Sequence, residues 1–489
     1  MPSHARRPNF IFILTDEQHR RSVSAYADGP SQTPSIDRLA AEGARLDNAY
    51  CAYPVCYPSR AALMTGRWPH TNGVRTNQIF LSPGERHLPG LFRAAGYRTA
   101  LCGKNDLLAE ADLPAAFDWV WRTHHFGACD LLPDWFPPGA DAAARYYQEQ
   151  LKANVFVPFG CDVIPHPPEV CDAGLITASA LRFVDESAAA NRPFFLWLSY
   201  PGPHWPFTCP QGYEDLVPPE AVDLPAVGDL SHKPERMRAL RRGIAADRAS
   251  EEDFRRVLSL YYGNCRYIDD QIGRMLARLG QRGLEEDTVV LFTTDHGDFL
   301  GEYGLLHKMG TFHECLTHVP MAWRWPGQIA AGPADALVEG VDVAPTALEL
   351  CGLDVPPGIQ GVSHAAALRG QAAWTDRDTC FAEAGTEGRP LGLADLDDLP
   401  LPEGPFEASN RAWVNLPGFL SGRGKMVRRG RWKLSWYANG EGELYDLHTD
   451  PREMDNRYAD PACAEIVADL KDRLLHWTVA TEDTLPPLP

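Results

Sequence analysis

Three apolar, β-prone runs constrain this chain most, because each ends in or leads into a carboxylate or an imidazole. Asn9-Phe-Ile-Phe-Ile-Leu14 ends in Asp16-Glu17. Pro193-Phe-Phe-Leu-Trp-Leu-Ser-Tyr200 leads into Pro203-His204, and Thr288-Val-Val-Leu-Phe-Thr-Thr294 ends in Asp295-His296. Near-continuous apolar runs of this length fit strands buried on both faces, as in a parallel sheet. Between the second and third runs, Leu258, Tyr261, Tyr262, Cys265, Ile268, Ile272, Met275, Leu276 and Leu279 recur at helical spacing, and the pattern stops near Gly280 and Gly283. Strands alternating with helices imply an α/β core. Ligands of open α/β sheets bind outside the carboxyl ends of the strands, so Asp16, His204 and Asp295 are expected to converge there.

The 489 residues suffice for two or three domains and a large core. Residues 1–385 read as the α/β catalytic domain. Residues 386–489 read as a smaller α+β domain: short strands in Lys425–Tyr437 and Glu443–Asp446, then an amphipathic helix from Ala464 to Trp477 with Ile466, Val467, Leu470, Leu474 and Leu475 on one face. Pro133 to Pro168 reads as a loop-rich insertion, and residues 386–422 as a long connection.

A net charge of −19 argues against general affinity for nucleic acid or anionic lipid, while leaving room for a local basic pocket. No apolar stretch approaches a membrane span. Phe10–Leu14 is too short for a signal-peptide core, so the expected location is cytoplasmic. The 12 cysteines are scattered without CxxC pairs, as expected for buried thiols in a reducing compartment.

Only Cys56 has a context that suggests chemistry. In Cys56-Tyr-Pro-Ser-Arg-Ala-Ala-Leu-Met-Thr-Gly-Arg67, Pro58 suits the first turn of a helix and the residues after Arg60 are helix formers. Cys56 then sits at a helix N-terminus, where negative charge is favoured, with Arg60 one turn away.

Cys-x-Pro-Ser-Arg followed by Leu-x-Thr-Gly-Arg resembles the first signature of the sulfatase family. Gly96-Tyr-Arg-Thr-Ala-Leu-Cys-Gly-Lys104 resembles the second. Asp16, Pro203-His204-Trp-Pro-Phe207, Asp295-His296-Gly297, Lys308, Asp342-Val-Ala-Pro-Thr and Leu444-Tyr-Asp-Leu-His-Thr-Asp-Pro are similar to further landmarks of that family, in the family's order along almost the whole chain. The resemblance implies an alkaline phosphatase-like fold: a large, mixed, mostly parallel sheet flanked by helices.

It also implies hydrolysis of sulfate monoesters by a formylglycine nucleophile made from Cys56, and hence a formylglycine-generating maturation enzyme as partner. One divalent metal is implied, with Asp16, Asp295, His296 and residue 56 as ligands and Glu17 as a further candidate. Ca²⁺ is favoured by the carboxylates, and the His296 imidazole makes Mn²⁺ the alternative. Arg60, Lys104 and Lys308 are implied to neutralise sulfate oxygens, and His204 to protonate the leaving alcohol. The family's His two residues after the signature Lys is Asp106 here, so Asn105 and Asp106 are candidate substrate or base residues. His70, His124, His125, His307 and His313 are expected to be structural or at the rim.

The reading of second rank keeps the nucleophile and fold but acts on phosphonate monoesters or phosphodiesters. A third, a silent binding protein, is opposed by the joint presence of Cys56, Arg60, Lys104 and Lys308. The small-molecule substrate is not legible beyond a sulfate ester, although Trp119, Trp121, Trp135, Phe136, Trp205 and Trp413 are candidates for lining its pocket. The sequence leaves the oligomeric state open.

Overall fold

The structure, a computed structural model, describes residues 7–482 except 28, 78, 124–131, 133–134, 155–156, 398, 400 and 408–420. Its strands in chain order are β1 (Asn9–Asp16), β2 (Ala44–Tyr50), β3 (Arg98–Gly103), β4 (Trp119–Arg122), β5 (Cys161–Ile164), β6 (Phe194–Pro203), β7 (Phe207–Pro210), β8 (Thr288–Thr294), β9 (His318–Arg324), β10 (Gly332–Glu339), β11 (Thr379–Ala384), β12 (Gly424–Arg429), β13 (Trp432–Tyr437) and β14 (Gly442–Asp446).

Eight of them form one sheet in the order β10-β2-β9-β8-β1-β6-β3-β4. Only β9 runs antiparallel to its neighbours, so the sheet is mixed and mostly parallel, as expected. The three apolar runs are its adjacent centre, β8-β1-β6. Thr15 pairs with Thr294, and Asp16 with Pro203. The polar ends of the runs therefore share one edge of the sheet.

Every residue of β1 is buried. Phe10, Phe12 and Leu14 face a core that includes Phe92, Phe195 and Trp323, while Ile11 and Ile13 face one that includes Ile36, Ile272 and Phe292. Each such side chain contributes about 1.5–3 kcal/mol by leaving water. The helical repeat read from Leu258 belongs to a helix over Glu251–Gln281, opened by a Ser250–Asp253 capping box.

The C-terminal chain builds a separate four-stranded antiparallel sheet, β11-β12-β13-β14, with a helix over Ala464–Thr481 against it. This sheet begins at Thr379, ahead of the boundary read at 386, because β11 pairs along its whole length with β12. The apolar stripe of the helix is Leu470, Leu474 and Trp477; Leu475 falls off it and is 61% exposed. Part of the 133–168 insertion is not loop but a helix, Ala140–Asn154, whose Ala-rich first turns carry high helix propensity. Among the described residues no helix is long and apolar enough to cross a membrane, and the cysteines form no disulfide.

Candidate active site

Cys56 opens a helix over Cys56–Thr65, with Pro58 in its first turn. The sequence places it there because Val55 is extended and the residues after Pro58 propagate the helix. The helix end points at the polar edge of the β8-β1-β6 triplet. The ligand atoms of Asp16, Cys56, Asp295 and His296 lie within 4.8 Å of one another, and all four residues are fully buried. The Cys56 sulfur is 3.4 Å from Asp16 Oδ1 and 3.3 Å from His296 Nε2. His296 Nδ1 donates to the Gly297 carbonyl at 2.8 Å, which leaves the Nε2 lone pair aimed inward. Two carboxylates, one such imidazole and residue 56 are a donor set that fits a divalent cation. Gly297 is needed for this turn: a Cβ there would lie 1.9 Å from the Cys315 carbonyl oxygen.

Arg60 and Lys104 bond this cluster directly and Lys308 borders it through Glu17, so the three expected cations do different things. Arg60 is fully buried and spends its donors on the protein: Nε to Asp295 at 2.8 Å, Nη2 to Asp16 at 3.1 Å and Nη1 to Ser199 Oγ at 2.8 Å. It therefore orients the two carboxylates, where the sequence suggested a direct sulfate contact. Lys104 donates to Asp16 and lies 3.1 Å from Asp106. It follows Gly103, whose φ of +108° and close approach to the Ser199 carbonyl exclude any side chain. Lys308 Nζ is 2.8 Å from Glu17 Oε2.

Glu17 stands outside the four-residue cluster but belongs to two adjoining ones, with Asp16 and His204 and with Asp298 and His307. Its backbone is left-handed, φ +62°, and the turn carries its Oε2 to Lys308 and to His204 Nε2 at 3.2 Å. The other His204 nitrogen faces the Trp205 carbonyl. Both ring nitrogens of His204 thus face an acceptor. Asn105 bonds the backbone of Leu108 through both ends of its amide. Asp106 stays beside Lys104 in a left-handed turn, φ +46°.

Burial works against ionisation of Asp16, but Lys104, His204, Arg60 and Lys308 outweigh it and hold the carboxyl well below its ordinary range. Burial, reinforced by Asp16, pushes the Cys56 thiol well above its ordinary value. Lys308 stays above the usual ammonium range because Cys56, Glu17 and Asp16 overcome its burial.

Several expected residues lie elsewhere. Trp121, Phe136 and Trp135 pack together, with centroids 5.0 and 4.3 Å apart, in the core under β3 and β4, and Trp119 joins them, whereas Trp205 is buried beside His307 at the border of the site. Aromatic pairing in the core absorbs the side chains read as pocket lining. His70 and His313 bond Glu383 and Glu443. His307 lies next to the site, near Glu17 and Asp298. His124, His125 and Trp413 lie outside the described residues. Sequence reasoning missed Ser199, Asp298 and Tyr261. Ser199 is the polar residue in the second apolar run, Asp298 follows His296 by two, and the Tyr261 hydroxyl donates to the Glu17 carbonyl at 2.8 Å.

This combination of a mostly parallel sheet, a helix-borne Cys and a carboxylate–imidazole cluster at the strand ends defines an alkaline phosphatase-like hydrolase. Residues 8–353 match the sulfatase family and residues 421–480 match the C-terminal region of N-sulphoglucosamine sulphohydrolase. The chain belongs to the sulfatase family. It is 28% identical to an N-acetylglucosamine-6-O-sulfatase of Bacteroides thetaiotaomicron, over 92% of this chain and 82% of that protein. It is 27% identical to an arylsulfatase of Clostridium perfringens, over 92% and 90%. Among solved structures, the phosphonate monoester hydrolase of Agrobacterium radiobacter superposes with a TM-score of 0.76 at 22% identity, covering 97% of this chain and 96% of that one.

Proposed function

We propose that the protein hydrolyses sulfate monoesters at residue 56 after Cys56 has been converted to formylglycine by a maturation enzyme. The carrying observation is the convergence of Asp16, Cys56, Asp295 and His296 within 4.8 Å, flanked by Arg60, Lys104 and Lys308. These four residues would hold one divalent cation, Ca²⁺ first and Mn²⁺ second. When present, the cation and the hydrated aldehyde supply a nucleophilic oxygen at neutral pH, in place of a thiol.

The remaining work falls to the chain itself. Arg60 fixes Asp16 and Asp295 relative to the start of the Cys56 helix. Lys104 and Lys308 present positive charge to an anionic ester and to charge developing on its oxygens. His204, held by Glu17 and the Trp205 carbonyl, delivers a proton to the departing alcohol. Asp106 beside Lys104 takes the position where a base would receive a proton during breakdown.

The phosphonate reading remains second; the superposition on a phosphonate monoester hydrolase supports the shared fold. Turnover of matched nitrophenyl sulfate, phosphonate and phosphate esters by matured protein tests the assignment, with mass spectra of the Cys56 peptide in parallel. Sulfate is expected to turn over fastest, with CHO in place of CH₂SH at position 56. A faster phosphonate promotes the second reading, and full activity with unmodified Cys56 rejects both.

A further inference from the structure

A cavity of about 980 Å³ lies where the turn after β1, the start of β9, the Glu251–Gln281 helix and the C-terminal sheet meet. None of the residues assigned above to the reaction lines it. Its acids are mostly neutralised from within the protein. Glu302 is 3.2 Å from Arg21 and 3.4 Å from His19, and Glu314 is 2.8 Å from Lys433 and 3.0 Å from His318. Asp223 is the lining acid left over.

The other lining arginines make no direct ion pair among the described residues, although Asp47 and Glu314 act on Arg20 from a distance, and Glu314 acts on Arg428 across the Tyr50 hydroxyl. Arg20 reaches only the carbonyls of Tyr26 and Asp47, each at 3.4 Å, and its Nε is buried with no hydrogen bond. Arg428 bonds neutral groups: the Tyr50 hydroxyl, Asn48 Oδ1 at 3.1 Å and the Gly430 carbonyl. Arg452 is exposed and, among the described residues, its side chain makes no ion pair. Three guanidinium groups thus face a cavity that offers them one uncommitted carboxylate, Asp223, and a share of Glu314, which Lys433 and His318 already hold, in a chain whose net charge is −19. Burial outweighs the remote carboxylates at Arg20, and an oxyanion in the cavity would relieve it by accepting paired N–H donors that none of the lining acids accepts from Arg20, Arg428 or Arg452 among the described residues. The volume suits a sugar-sized molecule better than a bare ion.

We propose that this cavity is a second anion site, separate from residue 56, for a small molecule bearing two or more oxyanion groups such as sulfate, phosphate or carboxylate. Its wall joins the reaction centre through one relay: the His19 backbone donates to the Tyr261 hydroxyl at 2.7 Å, and that hydroxyl donates to the Glu17 carbonyl.

The test titrates the fluorescent, non-hydrolysable pyrenetetrasulfonate into the full chain and follows anisotropy. Saturable binding is expected for the parent protein. Arg452→Gln, on an exposed side chain, should weaken it about fivefold, and Arg20→Gln with Arg428→Gln at least about tenfold, at unchanged circular dichroism. Lys308→Gln, at the other site, should leave binding unaltered, and Arg452→Gln should leave nitrophenyl sulfate turnover unaltered. Inorganic sulfate, phosphate and citrate, used as competitors, then rank the headgroups by the concentration that displaces the dye. No binding by the parent, equal affinity in the Arg452→Gln protein, or loss of binding in Lys308→Gln would overturn the proposal.

Discussion

His296 faces Cys56 across 3.3 Å, and its outward nitrogen is tied to the Gly297 carbonyl. The tie fixes the tautomer, so the ring is ready to ligate before any cation arrives. Purified parent protein is expected to hold one equivalent of divalent metal. His296→Ala should hold less than half an equivalent after dialysis, with turnover falling in step. His296→Asn exchanges imidazole for an amide oxygen and should shift preference from Mn²⁺ towards Ca²⁺. Elemental analysis after equilibration with both ions reads this directly.

Arg60 offers a sharper test of position against charge. Its forked donors hold Asp295, Asp16 and Ser199 at once, and an ammonium cannot span those directions. Arg60→Lys keeps the charge, yet activity should drop by at least about 100-fold, and urea unfolding should show a loss on the order of 3 kcal/mol or more. Full activity in Arg60→Lys would mean that charge alone suffices.

Asp106 lies 3.1 Å from the Lys104 ammonium and draws on the charge that an anionic ester needs. Asp106→Asn should lower KM for nitrophenyl sulfate several-fold. If Asp106 also accepts a proton during breakdown, kcat falls in the same variant, and the phase of rapid product release before steady state grows. A KM unchanged or raised would contradict the electrostatic role.

Glu383 on β11 bonds His70 at 2.8 Å and Lys425 at 3.3 Å, linking the C-terminal sheet to the segment after the Cys56 helix. Burial opposes its ionisation, but His70 and Lys425 prevail and hold it at about 2 against an ordinary 4.5. A depressed carboxyl stabilises the fold above its unfolded pKa, and that contribution fades as pH falls from about 4.5 towards 2. Glu383→Gln should therefore be less stable by about 3 kcal/mol at pH 7, with the gap narrowing below about pH 4.5. Urea midpoints at several pH values measure it.

Much of the frame was legible because burial on both faces writes a continuous apolar run. That pattern located β1, β6 and β8, and their polar ends located Asp16, His204 and Asp295. The helix with Cys56 was equally plain from Pro58 and the residues after it. Pairing order was not: nothing in the runs says that β1 lies between the other two, since strand adjacency is a tertiary choice. Whether Glu17 ligates or only bonds nearby was not legible, because a left-handed backbone at one residue redirects its side chain to Lys308 and His204, and no local pattern marks it. Trp119, Trp121, Trp135 and Phe136 read as pocket or core alike, because both bury aromatic surface. Ser199 was hidden inside an apolar strand, where its hydroxyl matters only once Arg60 is across from it.

The complete burial of Cys56 sets a clock for the protein. A second enzyme cannot bring its own active site to a side chain that solvent does not touch. If residue 56 is converted as proposed, that conversion would compete with folding during or soon after synthesis, while the segment Cys56–Arg60 is still an open strand of peptide. On that reading, a molecule that closes first would be locked out of maturation unless it unfolds again. The active fraction of a preparation would record the race between two rates, and slowing the chain's closure would raise it without altering a single residue of the finished site.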